Sequence, residues 1–226
     1  MKKNILILAA HPDDEVFGCG GTVAKLIKKN WNAHLLFFTD GVSSRKNKKN
    51  LESKIKRRKS AALKSSKLLG IKNVKFLSFP DNGLDKIKLI EIIKEIEFYM
   101  NQFKPEIIFT HSNTDLNIDH EIINRAVVTA TRPQPNFYVK KILLFETLSS
   151  TEWNFSSKKL NFSPNYFVDI KDTIKIKIKA IKAYKSELRK WPHPRSVNGA
   201  KTLANYRGQS VGLEFAEAFF LLRENS

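Results

Sequence analysis

Short apolar runs alternate along this chain with longer stretches of helical period, and glycine, proline or asparagine punctuates the junctions. Residues 4–10 read as a buried strand, followed by a glycine-rich turn (Gly18, Gly20, Gly21) and a helix ending near Asn30. Residues 33–39 form a second apolar strand. A polar loop over 40–50 leads into a strongly basic helix over 51–69, which Gly70 closes. Residues 74–79 are a third strand stopped by Pro80. Ile87, Leu89, Ile90, Ile92, Ile93 and Ile96 then mark the apolar face of a helix over 86–103. Pro105 breaks it, and 106–110 form a fourth strand.

This alternation predicts an α/β fold: a Rossmann-like three-layer sandwich with a mostly parallel sheet and helices on both faces. Beyond about residue 140 the pattern changes. Strands are expected at 141–145, 166–169 and 217–223, and a helix at 172–188, with a proline-rich basic segment at 190–195. No linker or repeat interrupts the chain. Residues 1–226 are therefore expected to form one domain, the C-terminal segment completing the substrate pocket.

In such sheets ligands bind beyond the carboxyl ends of the strands. His11, Asp13 and Asp14 follow the first predicted strand, Asp40 the second, Asp81 the third, and the cluster Asp115–His120 the fourth. Polar, metal-ligating residue types thus collect at one rim. Pro12 fixes the backbone between His11 and Asp14 so that both can face one point, and imidazole plus carboxylate suits zinc. Asp13 between them is placed to approach a metal-bound water. His120, opening a helix, is the natural third ligand, with His111 the alternative. Three protein ligands leave a position open for water, as a catalytic metal site requires. Asp119 beside His120 is a candidate helix cap and supporting group. His34 lies within a strand and reads as structural. His193, between Pro192 and Pro194 and followed by Arg195, sits in a loop suited to a sugar or phosphate.

Charge and composition add limits. The formal net charge is +18. The lysines are dispersed and lack interleaved aromatics, so nucleic acid is the less favoured partner, although an anionic small substrate would also be attracted. No apolar run approaches the ~20 residues of a membrane span. The N-terminal apolar run is interrupted by His11, Asp13 and Asp14, and reads as the first strand of a cytoplasmic protein rather than a signal peptide. Cys19 is the single cysteine, which excludes an intrachain disulfide.

The motif Ala10-His11-Pro12-Asp13-Asp14-Glu15 and the pair Asp119-His120 resemble the PIG-L/LmbE-like family of zinc-dependent N-deacetylases. Further similarities run through Gly18–Thr22, Thr39-Asp40-Gly41, Arg57-Arg58, Pro80-Asp81 and Ala183–Ser186. The ending, from His193-Pro194-Arg195-Ser196 to Ala216–Phe219, looks like the saccharide-modifying branch. The resemblance implies a Rossmann-like fold, Zn2+ held by His11, Asp14 and His120, and Asp13 as general base. It implies hydrolysis of the N-acetyl group of an amino sugar or sugar conjugate, and is compatible with a homo-oligomer. An N-deformylase or other amidohydrolase on the same metal site is the nearest alternative; a basic nucleic-acid-binding protein is a more distant one.

Two departures stand out. Many members have a histidine three residues before the ligand histidine, and here that position is Asn117. Its amide can donate to an oxyanion but cannot carry a proton, so His193 is expected to supply the missing function. Ser60 stands where many members have glutamate, which removes a partner for Arg57. Arg57, Asp81 and Arg195 are expected to contact substrate.

Overall fold

The computed structural model describes residues 2–46, 48–134, 139–155 and 161–225. The first half alternates β1 (Asn4–Ala9), α1 (Asp14–Lys28), β2 (Asn32–Phe37), α2 (Leu51–Leu69), β3 (Asn73–Phe76), α3 (Leu89–Phe103), β4 (Ile107–His111) and α4 (Ile118–Ala130). The second half adds β5 (Lys141–Phe145), β6 (Tyr166–Asp169), α5 (Ile174–Ile181), α6 (Val197–Gln209) and β7 (Ala216–Glu224). The described strands form one sheet in the order β3-β2-β1-β4-β5-β7-β6. From β3 to β5 every pairing is parallel. β7 runs antiparallel to both of its neighbours, β5 and β6.

The strands alternate as a sheet covered on both faces requires. Ile5, Ile7 and Ala9 point into one core with α1, α2, α5 and α6, while Leu6, Leu8 and Ala10 point into another with α3 and α4. Chain order reverses across β1, which has β2 on one side and β4 on the other. That reversal leaves a crevice at the carboxyl ends of β1 and β4, between helices that leave in opposite directions. α1 lies very close to the sheet at Gly18, where an added Cβ would stand 2.3 Å from the Phe145 ring.

The expected α/β sandwich is present, with three local differences. The third strand ends at Phe76 rather than 79, although Leu77 and Phe79 still donate backbone bonds to Phe37 and Phe38. The helix expected over 172–188 stops at Ile181. Tyr184 and Glu187 beyond it turn inward, Tyr184 to Glu15 and Glu187 to Arg58. Finally, α6 was not anticipated. No helix among the described residues is long and apolar enough to cross a membrane.

Candidate active site

The sequence between β1 and α1 makes the floor of the site. Asp13 is the N-cap of α1 and adopts φ 133°, ψ −19°, a conformation uncommon for any residue but glycine. It is held there on all sides. Val16 and Phe17 N–H groups donate to its carbonyl at 3.2 Å, and its own N–H donates to Glu15 Oε2 at 3.0 Å. Backbone strain of this kind persists where the surroundings over-determine it, as at sites that must aim a side chain. The Asp13 carboxylate is fully buried between two guanidinium groups: Arg58 Nη2 lies 3.0 Å from Oδ1 and Arg195 Nη1 lies 3.1 Å from Oδ2.

Next to it, His11 Nδ1, Asp14 Oδ2 and His120 Nε2 form a nearly equilateral triangle. Its sides are 3.2 Å (His11–Asp14), 3.2 Å (His11–His120) and 3.3 Å (His120–Asp14). Tetrahedral ligands at ~2.0–2.1 Å from a metal stand about 3.3–3.4 Å apart, so these atoms fit one face of such a site. Asp14 Oδ1 is buried without a hydrogen-bond partner. A second group, His11 with Asp81 and Asp119, also gathers around one point. There the carboxylates are already engaged. Asp119 accepts from the Asn82 and Leu84 N–H groups at 2.8 and 3.1 Å, and Asp81 accepts from the Ser44 N–H and hydroxyl at 3.0 and 2.7 Å. Asp14 Oδ2 also accepts the His11 N–H at 2.8 Å, but its Oδ1 is unpartnered and two imidazoles face it, so the first group is the one suited to hold a cation.

Each histidine of the triangle is backed by carboxylate. His11 Nε2 stands 3.3 Å from both Asp81 and Asp119, and His120 Nδ1 stands 3.1 Å from Asp115. Asp115 in turn accepts from the Ser150 hydroxyl and, at 2.6 Å, from Thr151. Such partners fix the ring orientation and leave the opposite nitrogen free to ligate. Burial by itself would push the His120 imidazole down, but Asp14 and Asp115 outweigh it and raise its pKa to about 9. Burial opposes charge on His11 too, yet Asp119, Asp14 and Asp81 push it well above the usual range. Burial would likewise raise Asp115 and Asp81; the facing histidines and hydroxyl donors bring both down to about 2. The pocket is thus built to keep positive charge at its centre.

Several expected residues take other positions. Arg57 is exposed on α2, while its neighbour Arg58 is buried and reaches Asp13, the Pro12 carbonyl (2.5 Å) and Glu187. Arg195 reaches Asp13 across 182 positions of sequence. Asp81 turns toward His11 and Ser44. Asn117 caps α4, its Oδ1 accepting from the Asp119 N–H at 2.9 Å, and its Nδ2 donates to Asn82 at 3.0 Å. His111 is fully buried. Its Nε2 accepts the Ala10 N–H at 2.9 Å and its ring stacks on His120 at 3.8 Å, so it forms a shelf under that residue. His193 packs edge-on against Trp153, and its Nδ1 accepts the Arg195 N–H at 3.0 Å. His34 stacks on Phe103 away from the cluster.

Sequence reading missed Glu187, the contact of Arg58 with Asp13, and the pairing of Asp115 with His120. The usable signal was helical period: Arg58, Ala62, Ser65 and Leu69 mark the buried stripe of α2, and Arg57 falls outside it. Glu15 was quoted only as part of a motif. It is buried, accepts from the Tyr184 hydroxyl at 2.6 Å, and burial raises its pKa to about 8 against that hydrogen bond.

Known proteins share this arrangement of elements. A family model described as GlcNAc-PI de-N-acetylase (PIG-L) matches residues 6–131, from β1 through the end of α4. Diacetylchitobiose deacetylase of Thermococcus kodakarensis is 25% identical over 224 residues, covering 95% of this chain and 81% of the relative. The solved structure of N,N'-diacetylchitobiose deacetylase from Pyrococcus horikoshii has the same fold, with a TM-score of 0.78, 23% identity, and coverage of 98% of this chain and 84% of that one. A 4-carboxy-2-hydroxymuconate hydratase from Pseudomonas putida is nearly as similar in shape, with a TM-score of 0.76, 19% identity, and coverage of 99% and 98%. Shape alone therefore does not fix the reaction. The family model, which spans more than half of the chain and contains the Ala10–Glu15 motif and the Asp119-His120 pair, identifies this chain as a member of the PIG-L deacetylase family.

Proposed function

We propose that the protein is a zinc-dependent hydrolase that removes the N-acetyl group from an amino sugar or sugar conjugate. The observation that carries this reading is the triangle of His11 Nδ1, Asp14 Oδ2 and His120 Nε2 beside a buried, doubly clamped Asp13 carboxylate. The relatives support the acyl group and the sugar, since the named activity of the Thermococcus relative is deacetylation of diacetylchitobiose. Zinc bound by His11, Asp14 and His120 would supply a Lewis acid able to bring the pKa of a water toward ~7.

This chain's own residues do the rest. An Asp13 oxygen takes a proton from the attacking water while the water oxygen bonds to the acetyl carbon. The C–N bond then breaks, Asp13 returns the proton to the departing nitrogen, and the products are acetate and a free amine. Arg58 and Arg195 hold the carboxylate aimed between proton transfers. His193 is assigned as donor to the acyl oxygen. With Nδ1 accepting from Arg195, the neutral ring carries its proton on Nε2. The Asn117 amide, already capping α4, is a lesser candidate for that task. Asp81 and Asp119 hold the His11 ring in its ligating orientation.

The test is acetate release from N-acetylated sugars, with N-formyl analogues alongside, by zinc-loaded protein, chelated protein and Asp13→Asn. Asparagine keeps the shape of the side chain at this strained position, and a melting curve of the variant reads whether the fold is kept. Loss of the base should lower kcat by about 10²–10⁴-fold. Turnover that survives chelation, or survives Asp13→Asn, would refute the assignment.

A further inference from the structure

At the end of the sheet opposite the candidate active site, a cavity of about 250 Å³ opens between α1 and the strands. Its floor is apolar, made by Ile107 and Phe109 of β4, Leu143 of β5 and Val168 of β6, with Leu26 of α1 above them. Ile107, Val168 and Leu26 are only half-buried, so this part of the sheet is incompletely covered. Ile107 and Lys141 are the first residues of their parallel strands, whereas the candidate metal ligands follow the carboxyl ends, so the two places share no residue. α1 joins them: Asp13 caps its start and Lys29 its end. At ~1.5 Å per residue this 15-residue helix spans ~22 Å.

Thr22, Lys25 and Lys29 fall on one stripe of α1 and line this cavity together. The Thr22 side chain is buried, yet its hydroxyl has no hydrogen-bond partner. It does not take the usual helical option of bonding a carbonyl one turn back, and the apolar floor offers it nothing. The Lys25 ammonium donates to the Asp169 carbonyl at 2.6 Å, and neither it nor Lys29 has a carboxylate partner among the described residues. The third lysine is already engaged, since Lys141 pairs with Glu224 at 2.6 Å and donates to the Tyr166 hydroxyl at 3.1 Å. Asp169 is the one acid of the lining, and its carboxylate accepts the Lys171 N–H at 2.9 Å. Positive charge is therefore in excess over a greasy floor, a combination that favours an anion with an apolar body.

We propose that this cavity is a second binding site, separate from the candidate active site, for a small amphipathic monocarboxylate. The volume lies just under the ~300 Å³ at which pockets take drug-sized ligands, so the apolar body is a single ring or a short branched chain. That body rests on Ile107, Phe109 and Leu143, while the carboxylate accepts from the Thr22 hydroxyl and the Lys25 and Lys29 ammonium groups. The full chain would be titrated with benzoate, phenylacetate and 4-methylpentanoate, each beside its uncharged amide, and followed by 1H–15N NMR. At least one carboxylate should bind with Kd of about 1 mM or below, and its amide about tenfold more weakly or worse. The shifted amides should centre on residues 22–29 and Ile107. Thr22→Val keeps the side-chain shape and should weaken the carboxylate about 3–10-fold. It should melt no lower than the parent, because the lost hydroxyl has no partner to lose; a lower melting point would show that hydroxyl already engaged and overturn its place in the site. Lys29→Glu, at an exposed position, should weaken binding about 2–5-fold or more. Kd above ~1 mM for all three carboxylates, or amides that bind equally well, would overturn the proposal. So would affinity unchanged in both variants, or shifts centred on residues 11–14 and Arg195, which would place the carboxylate in the candidate active site instead.

Discussion

Replacing Asp119 with asparagine changes one oxygen to an NH2 group at nearly constant shape, and the structure sets the consequence. Oδ1 accepts the Leu84 N–H at 3.1 Å, while Oδ2 accepts the Asn82 N–H at 2.8 Å and faces His11 Nε2 at 3.3 Å. The side chain is fully buried. Asparagine has one acceptor where two backbone donors need one each, so either orientation of the amide sets N–H against N–H. A buried donor left without a partner costs about 1–3 kcal/mol, and adding the repulsion puts the loss near ~2–3 kcal/mol. For a chain of this length each kcal/mol lowers Tm by about 2–4 °C, which gives a shift of about 5–10 °C. Under the proposed zinc site, affinity for zinc should fall as well. A lost carboxylate partner on a ligating histidine weakens metal binding by about 10–100-fold, and the remaining Asp81 contact places Asp119→Asn toward the lower end. Calorimetry of the metal-free protein reads the first effect, and competition with a chromogenic zinc chelator reads the second. If Asp119→Asn melts with the parent and binds zinc as tightly, the assignment of Asp119 as the brace of His11 and of the 82–84 turn is wrong.

Other perturbations test other parts of the structure. Gly18→Ala drives a Cβ to 2.3 Å from the Phe145 ring, which should cost about 1–3 kcal/mol in urea denaturation; a neutral result would show that α1 does not lie so close to β5. Lys177→Met removes the cation 2.6 Å from buried Glu217, whose carboxylate also accepts the Gly21 and Thr22 N–H groups. A loss of about 3–5 kcal/mol is expected, and a loss under ~1 kcal/mol would mean the pair is well solvated. Burial lifts the Glu146 pKa above its usual value even though Arg207 pairs with it on both oxygens. Its folded-state pKa thus exceeds the unfolded one, so its contribution is complete below ~4.5 and is lost as pH rises through the folded value. The stability of Glu146→Gln relative to the parent should therefore improve with rising pH from 4 upward. A pH-independent difference would contradict the burial of that carboxyl group.

Much of the candidate site was legible because its residues come from short, local pieces of sequence. The Ala10–Glu15 segment follows a strand whose apolar run cannot be mistaken, and a helix must start within it, so His11, Asp13 and Asp14 had to share one turn. The cluster after β4 followed by the same reasoning. Less visible was α6, because Val197–Gln209 includes Gly199, Asn198 and Gly208, residues with poor helix propensity. It forms because Ser196 caps it, accepting the Gly199 N–H at 2.9 Å, and because Ala200, Ala204 and Gly208 make a narrow buried stripe. That four-residue spacing of small side chains was the available clue.

The sequence by itself determined the class of fold, the order of the first strands and helices, and the residue types gathered at one rim. These depend on local periodicity and on which residues sit at strand ends, quantities fixed within a few positions of chain. Tertiary structure alone decided which side chains meet. Arg58 rather than Arg57 reaches Asp13 because the rotation of α2 against the sheet sets which face is buried. Arg195 arrives from 182 positions away, and Glu187 from beyond the early end of α5. Asp115 and Asp119, four apart on one short segment, brace different histidines, because β1 and β4 are neighbours in the sheet and no local pattern encodes that pairing.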